Sequence, residues 1–94
     1  MLSNEVAIHI IFVFKILYNK TAAQDVPKLK SAHLDEKAKA LIEIIRVDPF
    51  QTPPPDEKLV GDLNGAYSRR INVQHRLVYQ VYEKEQTVKI LSLW

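Results

Sequence analysis

The hydrophobic positions change period along the chain, and each change marks an element. Residues 6–18, "VAIHIIFVFKILY", are apolar apart from His9 and Lys15 and rich in β-branched and aromatic side chains, which suits a strand. The run is too short to cross a bilayer, which takes roughly 20 apolar residues. Glu5 precedes it and no Lys or Arg does, unlike the positive start of a signal peptide. A core strand is expected over Val13 to Tyr18, with residues 1–12 as an extension. From Thr21 the period lengthens. Thr21 is the expected N-cap of a helix over 21–31, with Asp25 near its first turn, although Pro27 removes an internal hydrogen bond. Ala38, Leu41, Ile42 and Ile45 then recur at helical spacing, which predicts a second helix over 35–47 that Pro49 stops. Joined near Ser31 to His33, the two form a hairpin with an apolar stripe.

After "QTPPPDE", a stiff proline-rich connector, the period falls to two. "KLVGDL", "AYSRRINV", "HRLVYQVYE" and "TVKILSLW" read as three strands plus a short one. Turn signals separate them at Asn64-Gly65, near Asn72 to Gln74, and at Glu83 to Gln86. The order is β-α-α-β-β-β. Strands joined by short turns become antiparallel neighbours. The expected fold is therefore α+β: a two-helix hairpin packed on one face of a four- to five-stranded, mainly antiparallel, twisted sheet. The opposite face stays open unless a partner covers it.

Composition narrows this picture. Ninety-four residues make one small domain, and an apolar fraction of 47% argues against disorder. The chain has no cysteine, hence no disulfide, thiol nucleophile or thiolate metal site, which fits a cytoplasmic protein. His9 and His33 lack the partner spacing of a metal site, so no metal and no cofactor is expected. A net charge of +2 is too small by itself to indicate nucleic-acid binding. Its distribution is more telling, since Lys58, Arg69, Arg70 and Arg76 face a single acid, Asp62, between positions 58 and 76.

Strand alternation places these charges. In "HRLVYQVY", His75, Leu77, Tyr79 and Val81 share one side, and Arg76, Val78 and Gln80 the other. In "YSRRI", Tyr67, Arg69 and Ile71 lie opposite Ser68 and Arg70. If Leu77 and Tyr79 face the helices, Arg76 and one of Arg69 or Arg70 reach the open face, where Glu57 follows the rigid prolines. A carboxylate and two guanidiniums on one surface suit phosphoryl chemistry, with the carboxylate taking a proton and the arginines holding developing charge. The same residues also suit a solvated sheet face with a weak Glu57–Arg76 pair. His75 reads as a strand-end histidine.

The stretch "PPPDEKLVGDLNGAYSRRINVQHRLVYQV", together with the preceding "KAKALIEIIRVDPF", resembles the Txe/YoeB family of toxins in the RelE/ParE superfamily. The resemblance runs from Val13 to Trp94 and makes 13–94 the expected toxin domain. It implies a small α/β toxin of a type II toxin–antitoxin module that enters the ribosomal A site. Such a toxin cuts mRNA without metal, as an RNA 2′-hydroxyl attacks its own phosphate. It also implies silencing by a cognate YefM/Axe-like antitoxin, with a homodimer or a toxin–antitoxin hetero-oligomer as the assembly, and no membrane. By position, Glu57 matches the family's general base and Arg76 the arginine that stabilises the pentavalent phosphate. Arg69 and Arg70 match paired phosphate-contacting arginines, of which Arg70, sharing a face with Ser68, is favoured. The family's terminal His and Tyr, general acid and support of the base, have no counterpart up to Trp94, so a C-terminally truncated and catalytically impaired toxin that only binds antitoxin is one alternative expectation. A ParE-like gyrase inhibitor is another, although its members generally lack the Glu57/Arg76 pair.

Overall fold

The structure, a computed structural model, describes residues 13–60 and 65–94. The expected 1–12 extension lies outside the described residues, as do 61–64, which hold part of the expected strand 58–63 and Asn64 of the expected turn. The described elements are β1 (Lys15–Tyr18), α1 (Lys20–Ser31), α2 (Asp35–Val47), β2 (Glu57–Lys58), β3 (Ala66–Arg70), β4 (Arg76–Tyr82) and β5 (Thr87–Ser92). They form a five-stranded sheet in the order β1-β5-β4-β3-β2. Among the described residues no helix is long and apolar enough to cross a membrane.

The last four strands are antiparallel neighbours, as expected, but the first of them is Glu57–Lys58, and Leu59 and Val60 of the expected strand lie outside it. β1 reaches the sheet through the helical hairpin, and it pairs parallel with β5, Ile16 beside Val88 and Tyr18 beside Ile90. That connection also corrects the expectation of a core strand. β1 is an edge strand with Leu17 and Tyr18 exposed, and only Ile16 and Phe14 pack against the core. The N-cap of α1 is Asn19 rather than Thr21, for its Oδ1 accepts the Ala22 N–H at 2.8 Å. The helix runs through Pro27. His33 closes the hairpin at φ 58°, and the Leu34 N–H returns to the Leu29 carbonyl at 2.8 Å.

The apolar stripe of α2 is buried as its spacing predicts, through Ala38 and Ile45, with Leu41 and Ile42 packed beside them. It meets Ala22 and Leu29 of α1 and the helix-side residues of the sheet, among them Leu77, Tyr79, Val88 and Ile90. Charged residues also join this interior, Asp25 and Arg69 among them. Asp25 is 4% exposed and its Oδ2 accepts the Leu93 N–H at 2.9 Å, which ties α1 to the end of β5. The helices therefore consume one face of the sheet, and the site lies on the other.

Candidate active site on the open sheet face

Register fixes which side chains share that face. Glu57 lies opposite Ser68, Ser68 opposite Val78, and Arg70 opposite Arg76. Directly paired residues project to the same side, so Glu57, Ser68, Arg70 and Arg76 stand together on the side away from Leu77 and Tyr79. Arg76 is the centre of the group. Its Nη1 donates to Glu57 Oε1 at 2.7 Å and to Ser68 Oγ at 2.9 Å. Ser68 is buried, whereas Glu57 and Arg76 keep 62% and 40% of their side chains exposed. A charged pair so open to water adds little to stability and remains accessible to a charged ligand. The four side chains, with Pro54, Pro55 and Asp56, bound a cleft of about 280 Å³.

β4 is held in register at its start by the preceding turn. Asn72 Oδ1 accepts the N–H groups of Gln74 and His75 at 2.9 and 2.7 Å, and Ile71 N–H donates to the His75 carbonyl at 2.8 Å. His75 is the strand-end histidine that the sequence suggests. Its ring stacks on Trp94 with centroids 4.0 Å apart.

Arg69 departs from the expected phosphate contact. Its partner in register is Leu77, so it points to the helix side, and it is 1% exposed. Nε donates to the Tyr79 hydroxyl at 2.9 Å, Nη1 to the Pro54 carbonyl at 2.7 Å and Nη2 to the Pro49 carbonyl at 3.1 Å. Asp56 lies 3.8 Å from Nη2, and the Tyr79 hydroxyl donates to the same Pro49 carbonyl at 3.0 Å. A phosphate on the open face meets none of these donors. Burial raises the Tyr79 hydroxyl above its ordinary pKa of 10.0, against the opposing pull of the Arg69 hydrogen bond, and Tyr79 stays a neutral donor. No motif or spacing in the sequence marks Tyr79 or Asp56 as site-related. Alternation alone, which sets Arg69 beside Tyr67 and Ile71, was the signal available for Arg69.

Comparison with known proteins bears on the family and the fold. Residues 19–93 match the model of the YoeB-like toxin of bacterial type II toxin–antitoxin systems. The Toxin RelK of Mycobacterium tuberculosis is 46% identical over 48 residues, 51% of this chain and 56% of that protein. The Toxin YoeB of Synechocystis is 44% identical over 45 residues, 48% and 52% of the two chains. These matches span about half the length of the curated relatives. Among solved structures, a YoeB/ParE toxin from Agrobacterium tumefaciens superposes with a TM-score of 0.77 at 29% identity, over 85% of this chain and 95% of that one. The heterotetrameric YoeB-YefM toxin–antitoxin complex from Staphylococcus aureus gives 0.71 at 32% identity, over 85% and 93%. With a β-α-α-β-β-β-β fold, an open-face Glu57–Ser68–Arg76 cluster and a family match over 19–93, the chain belongs to the YoeB-like toxins of bacterial type II toxin–antitoxin systems.

Proposed function

We propose that the chain is a ribosome-dependent endoribonuclease that cuts mRNA in the cytoplasm and is silenced by a YefM-like antitoxin. The observation that carries this reading is the contact of Arg76 Nη1 with both Glu57 and Ser68 at the edge of an open cleft. A carboxylate beside a guanidinium matches the two demands of attack by a 2′-hydroxyl on its own phosphate. Glu57 takes the hydroxyl proton as the 2′-oxygen bonds to phosphorus. Arg76 holds the charge that grows on the non-bridging oxygens, and an incoming phosphate competes with Glu57 for the guanidinium and frees the carboxylate to act. The bond to the 5′-oxygen breaks, that oxygen takes a proton from solvent water, and a 2′,3′-cyclic phosphate remains. Arg70, exposed at the same cleft, holds a neighbouring phosphate.

The S. aureus relative, a YoeB–YefM heterotetramer, supports the antitoxin partner and a hetero-oligomeric assembly. The test is cleavage of ribosome-bound mRNA mapped by primer extension, for the wild-type chain, Glu57→Gln and Arg76→Ala. Loss of a group that stabilises transition-state charge costs on the order of 100- to 1000-fold in rate. Arg76→Ala is expected to lose that much with its fold intact, since the residue lies outside the core. Cleavage at the wild-type rate refutes the assignment. Inhibition of gyrase supercoiling without RNA cleavage turns the reading to the ParE branch.

A further inference from the structure

We propose that Arg69 is the positioning residue of the site: from the buried side of the sheet it fixes the 49–56 segment and so sets where Glu57 meets Arg76. The inference rests on the reading of Glu57 as the general base. Glu57 sits on β2, which has two residues, and its side chain is mostly exposed. So short a strand has little pairing of its own to hold it in place. The segment before it contains four prolines, at 49, 53, 54 and 55. Proline lacks a backbone N–H, so this segment has few donors with which to anchor itself and depends on donors from elsewhere to satisfy its carbonyls.

Arg69 supplies them. Three nitrogens of one planar group reach three different oxygens, the carbonyls of Pro49 and Pro54 and the Tyr79 hydroxyl, and the guanidinium also faces the Asp56 carboxylate. Pro54 and Asp56 lie three and one residues before Glu57. Tyr79 closes the arrangement by donating to the Pro49 carbonyl itself. The clamp is thus rooted in β3 and β4, the strands that carry Ser68 and Arg76, and the proton acceptor and the phosphate-binding guanidinium refer to one rigid frame. Lysine cannot replace this fork, because an ammonium concentrates its donors at a single point.

The experiment compares wild type with Arg69→Lys, which keeps the buried charge, and with Tyr79→Phe, which removes the hydroxyl and leaves the guanidinium contacts to Pro49 and Pro54. Two readouts are used. The first is hydrogen exchange of the Leu59 amide, which donates to the Ala66 carbonyl at 2.9 Å and reports β2 docking, against the amides of the β4–β5 ladder. The second is kcat and KM for cleavage of ribosome-bound mRNA. Misplacing a catalytic group by about 1 Å costs up to about 100-fold in rate. Arg69→Lys is expected to speed Leu59 exchange about tenfold or more with the β4–β5 ladder unchanged, and to lower kcat by roughly 10- to 100-fold with KM unchanged. Tyr79→Phe is expected to move both readouts the same way by less, and it carries the test if Arg69→Lys does not fold. Leu59 exchange at the wild-type level, acceleration spread evenly over the sheet, or unchanged kcat in an active enzyme overturns the proposal. Selective acceleration at Leu59 in a chain whose wild type cuts no RNA leaves the clamp standing and removes the nuclease reading alone.

Discussion

Arg69 and Arg70 are adjacent in sequence, identical in chemistry, and opposite in use. One is 1% exposed and bonded to three oxygens inside the protein, whereas the other is exposed at the cleft. Period-two alternation separates them and was legible in the sequence, as was the sharing of a face by Arg70 and Ser68. The partners of Arg69 were not legible, because Pro49, Pro54 and Tyr79 are 20, 15 and 10 residues away and meet it only through the fold. Tyr79 gives the residue-scale prediction. Its folded pKa is raised by burial, so the neutral phenol is favoured in the native state. The associated stability is complete below the ordinary tyrosine value of about 10 and is lost as pH rises from there through the higher folded value. Tyr18, also raised by burial and by nearby Glu43, adds in the same sense but is half exposed. Urea midpoints followed from pH 8 to 11 are expected to fall above about pH 10 in wild type and less steeply in Tyr79→Phe, which starts from a lower stability at neutral pH. Equal slopes in the two proteins contradict the assignment.

At the scale of elements, the helices and the last three strands follow from periodicity, and α2 keeps its expected bounds of 35–47. The misreadings lie where a single local bond or a distant partner decides. Thr21 and Asn19 are both good caps by type, and the choice rests on Asn19 Oδ1 lying 2.8 Å from the Ala22 N–H. β1 has the composition of a core strand, yet its place at the sheet edge depends on the route that the chain takes through two helices before β2. The cap is directly testable. Asn19→Ala is expected to cost about 1 kcal/mol in urea denaturation, within the range of roughly 0.5–2 for a lost N-cap. Thr21→Ala, inside the helix, is expected to cost less. Reversal of that order places the cap at Thr21.

For the molecule as a whole, the two faces of the sheet divide the work. The helix side holds the core and the Arg69 clamp, and the open side presents Arg70 and Arg76 to whatever binds there. A cluster of exposed guanidiniums is as well matched to carboxylates as to phosphates, and the function proposed above has one surface serve both RNA and an acidic antitoxin segment. Both arginines are exposed, so their attraction for such a segment is screened by salt, with a Debye length of about 10 Å at 0.1 M and about 3 Å at 1 M. Arg69 is buried, which leaves Arg70 and Arg76 as the arginines of the cleft. Antitoxin affinity of the Arg70→Ala/Arg76→Ala double variant is therefore expected to fall roughly 10- to 100-fold at 0.1 M salt, at about 0.7–1.4 kcal/mol for each lost charged contact. The deficit should shrink towards 1 M salt as the wild-type affinity declines. Titration calorimetry at several salt concentrations measures both quantities. Equal affinity of wild type and double variant at low salt shows that the antitoxin docks elsewhere, and silencing then requires a contact outside the cleft.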